Sequence, residues 1–103
     1  MVNRFPTHPG IHVDPLPVAL YMTGNTQSFE YHIKFNAEAA TMVCDLWNAC
    51  AGRFRKFLFK HPISGMTLWA RFEGDKIQAH PLEAGEVNVL TLTDPVLETD
   101  LQP

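Results

Sequence analysis

The sequence predicts an α+β domain: a mostly antiparallel β-sandwich with one flanking α-helix. Two observations support this class. Apolar and polar residues alternate with a period of two over most of the chain, and only one segment has the period of 3.6 that is typical of a helix. The predicted element order is β-β-α-β-β-β-β. Runs of strands around a single helix favour an antiparallel sheet.

The first 17 residues are predicted to be an extended arm without secondary structure. Four prolines and Gly10 interrupt residues 1–17, and proline donates no hydrogen bond to a sheet. Residues 18–93 are expected to form the domain. Residues 94–103 are acidic and bounded by prolines, so they are predicted to form a second arm.

A hairpin is predicted at the start of the domain. Residues 18–23 read as a short strand, and Gly24 with Asn25 is a two-residue hairpin signal. Residues 28–35 alternate strictly, which indicates a half-buried strand. The residues expected to face the core are Phe29, Tyr31, Ile33 and Phe35.

The helix is predicted over residues 37–51. Asn36 is a good N-cap, Glu38 lies in the first turn where the helix dipole favours an anion, and Gly52 is expected at the C′ position. The residues expected on the buried face are Ala39, Met42, Val43, Leu46, Trp47 and Cys50. The two cysteines lie six residues apart in this helix, about 9 Å or more, so they are predicted to be buried and unbridged; a reactive thiol is the alternative.

Four more strands are predicted after the helix. The first follows Gly52, with a bulge near Arg55 that would bring Phe57 and Phe59 onto one face. The others span residues 66–72, 76–80 and 86–93, separated by turns rich in glycine and proline.

The chain shows no pattern that is typical of an enzyme or a metal site. Five histidines are spread over loops and strands, and Pro9 and Gly10 exclude a helix that would bring His8 and His12 to one ion. Paired carboxylates, a nucleophile elbow and a glycine-rich phosphate loop are all missing from the sequence. We therefore expect no catalytic residue, metal or cofactor, and surface or interface positions for the histidines.

No membrane segment is expected either. The sequence has no run of 18 apolar residues, and its N-terminus lacks the apolar core of a signal peptide. The chain is expected to be cytoplasmic when it is synthesised.

A basic and aromatic tract spans residues 53–60. Its phenylalanines suit a nucleic-acid stacking surface if they are exposed, or a core if they are buried. Core burial is the favoured interpretation for Phe54, Phe57 and Phe59, because the domain has few other large apolar residues. Burial of the phenylalanines does not explain the cations, which are therefore expected to make a contact on the outside of the domain.

Charge is segregated along the chain. Residues 53–60 carry four cations and no acid, whereas residues 73–103 carry seven acids and one lysine. Such a surface suits docking between neighbours of complementary sign. The expected interface residues are Arg53, Arg55, Lys56 and Lys60 on the basic side, and Asp94, Glu98 and Asp100 on the acidic side.

Residues 26–99 resemble the minor tail proteins of long-tailed bacteriophages, that is, the lambda-type minor tail protein M family and the related distal tail proteins. The resemblance consists of an aromatic strand, a helix rich in Glu and Ala, a closing glycine, and an aromatic-basic segment that ends in a proline turn. The matching residues are Glu38, Ala39, Ala40, Thr41, Gly52, Lys56, Phe57, Leu58 and Pro62. The chain departs from the family at its front, where the early hairpin is short and the proline-rich arm has no counterpart.

This resemblance implies a tail-tube-like fold and a structural role in the virion. The chain would form a hexameric ring at the distal end of the tail tube, next to the tube protein and other tail-tip proteins, after assembly in the host cytoplasm. The ring would enclose the genome channel without sequence-specific nucleic-acid binding. Two alternatives stay open: a small nucleic-acid-binding module that uses the four cations, and a tail-completion protein at the head-proximal end.

Overall fold

The computed structural model describes residues 2–77 and 79–102, in which six strands form one antiparallel sheet beside one α-helix. The elements are β1 (Ile11–Val13), β2 (Ala19–Thr23), β3 (Thr26–Phe35), α1 (Ala37–Ala49), β4 (Phe57–Lys60), β5 (Thr67–Phe72), β6 (Gly85–Thr91) and a 3-10 turn (Glu98–Leu101). The predicted α+β class is confirmed. The predicted sandwich is not confirmed, because the six strands belong to a single sheet that curls into a half-barrel.

Strand β3 is the central strand of the sheet and pairs with β1, β2 and β6. Along one side it pairs with β6, and the order continues through β5 to β4. Along its other side it pairs first with β2 and then with β1. The predicted hairpin is confirmed, since Thr23 pairs with Thr26 across Gly24 and Asn25. Gly24 has a φ of 62°, as a glycine at the first central position of such a turn allows.

The N-terminal segment contributes to the sheet at both edges. Strand β1 lies within the stretch predicted to lack elements, so that expectation is wrong for residues 11–13. Closer to the terminus, the backbone N–H of Phe5 donates to the carbonyl of Leu58 at 2.7 Å, and the N–H of Leu58 donates to Asn3 at 2.8 Å. The prolines flank these two stretches, so every backbone donor within them remains available.

The core lies on the concave face of the sheet, under α1 and Phe5. Its largest fully buried side chains are Phe57, Phe59, Phe72, Ile33, Val43, Val89 and Cys50. The common face predicted for Phe57 and Phe59 is confirmed, but no bulge is needed: residues 51–55 form a turn and β4 begins at Phe57. On the helix, Met42 is exposed instead of buried, and Ala40 and Cys44 face the core in its place.

The ends of α1 follow standard capping rules, with a shift at the C-terminus. The Asn36 side chain accepts from the N–H of Ala39 at 3.0 Å, which confirms the predicted N-cap. At the other end the N–H of Gly52 donates to the carbonyl of Trp47, and the N–H of Ala51 donates to Asn48. This is a Schellman motif. Its C′ residue is Ala51, with a φ of 51°, so the prediction of Gly52 at that position is wrong by one residue.

The strand predicted over residues 76–80 is not formed in the described part of that segment, and Gln78 lies outside the described residues. Strand β5 already pairs with β4 on one side and with β6 on the other, so neither of its edges is free. Over residues 2–77 and 79–102, no helix combines the length and the apolar character needed to cross a membrane.

Candidate functional site

The basic turn, residues 53–56, projects from the domain between α1 and β4. The N–H of Arg55 donates to the carbonyl of Cys50 at 3.0 Å. The guanidinium of Arg71 donates to the carbonyl of Phe54 and lies 3.5 Å from that of Arg53. Strand β5 therefore holds the backbone of the turn in place.

Phe54 is the aromatic side chain of the basic turn. It is 75% exposed, so its predicted place in the core is wrong. The Schellman motif ends α1 in a way that directs the chain outward, and Phe57 occupies the first buried position of β4. The structure therefore separates the tract: its last three apolar residues are buried and its first aromatic is presented to solvent.

Two of the four expected interface cations pair with acids of their own chain. Arg53 lies 3.0 Å from Asp75, and Lys56 lies 3.2 Å from Asp94. The ammonium of Lys56 also lies 4.3 Å from the centre of the Trp69 ring. Among the described residues, Arg55 and Lys60 form no ion pair. Exposed pairs of this kind are worth about 0.2–1 kcal/mol, so a neighbouring molecule can compete for these cations.

The acidic C-terminal residues lie against the convex face of their own sheet. The indole N–H of Trp69 donates to the carbonyl of Pro95 at 3.2 Å. The Asp100 carbonyl accepts from Arg4 at 2.8 Å, and the Asp100 carboxylate accepts from the N–H of Leu97 at 2.9 Å. Of the three expected acidic interface residues, Asp94 and Asp100 are thus engaged locally, and Glu98 is exposed.

A second charged feature, which we call the acidic pocket, opens between the end of α1, the loop after β5 and the start of β6. Its volume is about 380 Å³. Its apolar lining is Trp47, Phe72, Ile77 and Val87. Its charged lining is Glu73, Glu86 and Lys76, with His32 beside Glu86. The sequence does not predict this pocket, because its residues come from three separate segments that no local pattern links.

A chain of polar side chains crosses β2, β3 and β6 next to this pocket. Glu30, predicted to face outward, is only 8% exposed. It accepts from the Tyr21 hydroxyl at 2.9 Å and from the Asn88 amide at 2.8 Å. The Asn88 oxygen accepts from His32 Nδ1, whose other ring nitrogen lies 3.2 Å from Glu86. The hydrogen bond to Glu30 and the negative charge of that carboxylate raise the pKa of Tyr21.

The apolar hairpin, residues 15–29, is an uncharged surface feature. It contains no Asp, Glu, Lys, Arg or His. Strand β2 pairs only with β3 among the described residues, and from Leu20 to Thr23 it is exposed on both faces. The large exposed side chains of the hairpin are Leu16, Val18, Leu20, Tyr21 and Met22. Its uncharged composition is visible in the sequence, but its projection from the body is not.

The concave face has an open half beyond the helix. This groove of about 590 Å³ is lined by Phe29, Tyr31, Met66 and Leu68, with His61 beside them. His61 was expected at the surface and is 7% exposed. Its Nδ1 accepts from two backbone N–H groups of the following turn. Its Nε2 is buried and has no hydrogen-bond partner among the described residues.

The two cysteines are free and buried, as the sequence predicts. Burial raises the pKa of both thiols, which lowers the thiolate fraction at neutral pH. Within the described ranges, no three His, Cys, Asp or Glu side chains are grouped closely enough to hold a metal ion. The open surface features of the described chain are an exposed aromatic with cations, an acidic pocket and an apolar hairpin.

Comparison with protein-family models, with curated proteins and with solved structures found no match for this chain.

Proposed function

We propose that this chain is a structural subunit of a long-tailed bacteriophage virion, without a catalytic role. Six copies form a ring at the distal end of the tail tube, link the tube to the tip and surround the genome channel. The neighbours of each copy are other copies, the tube protein and tip proteins. In this proposal, the curled sheet with its flanking helix is a tail-tube-like sandwich made by one sheet folding back on itself.

The apolar hairpin is the observation that carries this proposal. An exposed edge strand with unpaired backbone groups is a liability for a monomer, and monomeric proteins protect such edges with charges, prolines or covering segments. Strand β2 carries no charge and no proline, and its side chains are exposed on both faces. This surface is suited to burial against another copy of the chain.

The resemblance in residues 26–99 supports the identity of the assembly. The N-cap Asn36 precedes the helix segment that carries the resemblance, and β4 begins at the Phe57-Leu58 pair of the same pattern. The proposed phage identity rests on that resemblance in sequence.

Native mass spectrometry of the purified chain over a range of concentrations tests the proposal. We expect a discrete hexamer that grows with concentration. Leu20→Lys should abolish the hexamer, because it places a charge on the hairpin, whereas Leu82→Lys, at another exposed leucine, should not. A chain that stays monomeric at every concentration, and also when tail-tube protein is supplied, contradicts the proposal.

One observation favours a second candidate function. Phe54 is exposed beside Arg53, Arg55 and Lys56, and aromatics next to cations are typical of surfaces that bind single-stranded nucleic acid. A salt-dependent shift with single-stranded RNA or DNA that is lost in Arg55→Glu would support this function. The absence of such a shift at low salt would exclude it.

A further inference from the structure

We propose that the basic turn of one copy docks into the acidic pocket of a second copy, with Phe54 as its anchor. This inference rests on the proposed function, because it requires that copies of the chain assemble. It assigns a contact to residues on both sides, including Trp47, Glu73 and Glu86, which the sequence does not single out.

Phe54 has the features of an interface anchor. It is 75% exposed on a projecting turn, and the backbone of that turn is fixed by the hydrogen bonds of Arg71 and Arg55. Aromatic residues and arginines dominate the binding energy of protein interfaces. A turn that is already held in one conformation loses little conformational entropy when it binds.

The cations around Phe54 make this side of the proposed contact positively charged. Arg55 has no ion pair among the described residues, and the guanidinium of Arg71 lies beneath the turn, hydrogen-bonded to a backbone carbonyl and not to a carboxylate. The positive charge of these two side chains is therefore not neutralised by contact within the described chain. A partner surface with an apolar centre and an acidic rim would complement it.

The acidic pocket is a surface of that kind on the same chain. Its lining combines apolar side chains, of which Trp47 is partly exposed whereas Phe72 and Val87 are buried, with the carboxylates of Glu73 and Glu86 and the ammonium of Lys76. Glu86 is held by His32 at 3.2 Å. Glu73 is exposed and forms no ion pair within the described residues, so it is the acid best placed to meet Arg55.

The other candidate occupants fit less well. Asp94 pairs with Lys56, and the Asp100 carboxylate accepts from the N–H of Leu97 at the start of its own 3-10 turn. A single-stranded nucleic acid would need a row of exposed aromatics, whereas Trp69, the next aromatic beside the turn, is 6% exposed and lies under Lys56. A second copy of the chain is therefore the occupant that the charges and the apolar surfaces favour.

The basic turn and the acidic pocket lie side by side, with Trp47 and Gly74 between them, and every copy has both. Contacts between two different patches repeat from one copy to the next and generate a ring when the rotation closes. The proposed contact is thus compatible with a ring, although it can be tested without one.

A charge exchange tests the contact directly. We would measure self-association by sedimentation velocity for Arg55→Glu, for Glu73→Arg and for the variant that carries both changes. Each single change should weaken association about tenfold, and the double variant should regain most of it because the two charges are simply exchanged. Phe54→Ala should weaken association more than either. Lys60→Glu, at an exposed cation outside the turn, should have little effect.

The possible outcomes separate this contact from the ring. Hexamers that are unaffected by Arg55→Glu and Phe54→Ala would uphold the ring and overturn the contact. Dimers that depend on Phe54 and on the charge pair would uphold the contact and contradict the ring. A double variant weaker than both singles, or a wild type that never associates, would overturn the contact. So would binding of a single-stranded DNA oligonucleotide through Arg55 with no self-association.

Discussion

Ala51, like Leu82, is a residue other than glycine with a positive φ. It has a φ of 51°, in the left-handed region that favours glycine, and this geometry closes the Schellman motif at the end of α1. A residue with a Cβ pays roughly 1–2 kcal/mol in this region. The side chain at this position is exposed, so glycine loses no packing there.

We therefore expect Ala51→Gly to stabilise the protein by about 1 kcal/mol in urea-induced unfolding, even though glycine is usually destabilising. The matched control is Ala49→Gly, two residues earlier and also exposed, which should destabilise the helix by about 0.5–1 kcal/mol. Equal destabilisation by both changes would show that Ala51 does not occupy the C′ position.

The pKa of Tyr21 gives a second prediction at this scale. Its hydroxyl donates to Glu30, and the hydrogen bond and the carboxylate charge raise the pKa above the ordinary tyrosine value. Because the folded-state pKa is raised, the stabilisation is fully present below the pKa of the unfolded state. It is lost as the pH rises through the folded-state pKa.

Alkaline titration of tyrosinate absorbance measures this effect. The chain has two tyrosines, so Tyr31→Phe leaves Tyr21 as the only signal. Glu30→Gln in that background should move the Tyr21 titration back toward lower pH, because the amide carries no charge. An unchanged titration curve would mean that Glu30 is not the partner of Tyr21.

At the scale of elements, the N-terminal residues contribute more than their sequence indicates. Phe5 is 8% exposed, and its ring lies 5.7 Å from that of Phe57 and 5.9 Å from that of Phe59. Two backbone hydrogen bonds to Leu58 hold it there. Residues 3–5 thus act as a short additional strand beside β4 and close the core at that edge.

Phe5→Ala should therefore destabilise the protein by about 3 kcal/mol, since truncation of a buried phenylalanine removes apolar contacts and leaves a cavity. Phe54→Ala makes the same chemical change at an exposed position and should alter the free energy of unfolding by less than about 0.5 kcal/mol. The measurement is urea unfolding followed by tryptophan fluorescence. Similar small effects of the two substitutions would indicate that the N-terminal segment does not pack on the core.

Elements with local signals were predictable, and elements that depend on distant partners were not. The cap at Asn36, the helix and the hairpin at Gly24 each follow from residues within a few positions. Strand β1 exists because it pairs with the second half of β3, some twenty residues away. Its three residues carry no pattern of their own, so the sequence alone gives no reason to expect it.

At the scale of the whole molecule, the same distinction applies to the candidate site. The basic turn is contiguous in sequence, so its cations were predictable, although the exposure of Phe54 was not. The acidic C-terminal residues were expected to be a free patch. They fold back instead, and Asp94 meets Lys56 across 38 positions of the chain. The acidic pocket depends on the packing of three segments and could be found only in the structure.

In the proposed ring, three surfaces would be buried against neighbouring copies. The apolar hairpin, the basic turn and the acidic pocket are each open on the described chain. A compact domain with one core does not need an uncharged, two-sided edge strand for its own stability. A neighbouring copy in the proposed ring would cover that strand.

Electron microscopy of the concentrated protein tests the proposed ring. We expect class averages of a closed, six-fold ring with an open channel, and loss of these particles when Leu20→Lys charges the apolar hairpin. The proposed ring would be contradicted by micrographs that show only single domains, both for the wild type alone and after tail-tube protein is added.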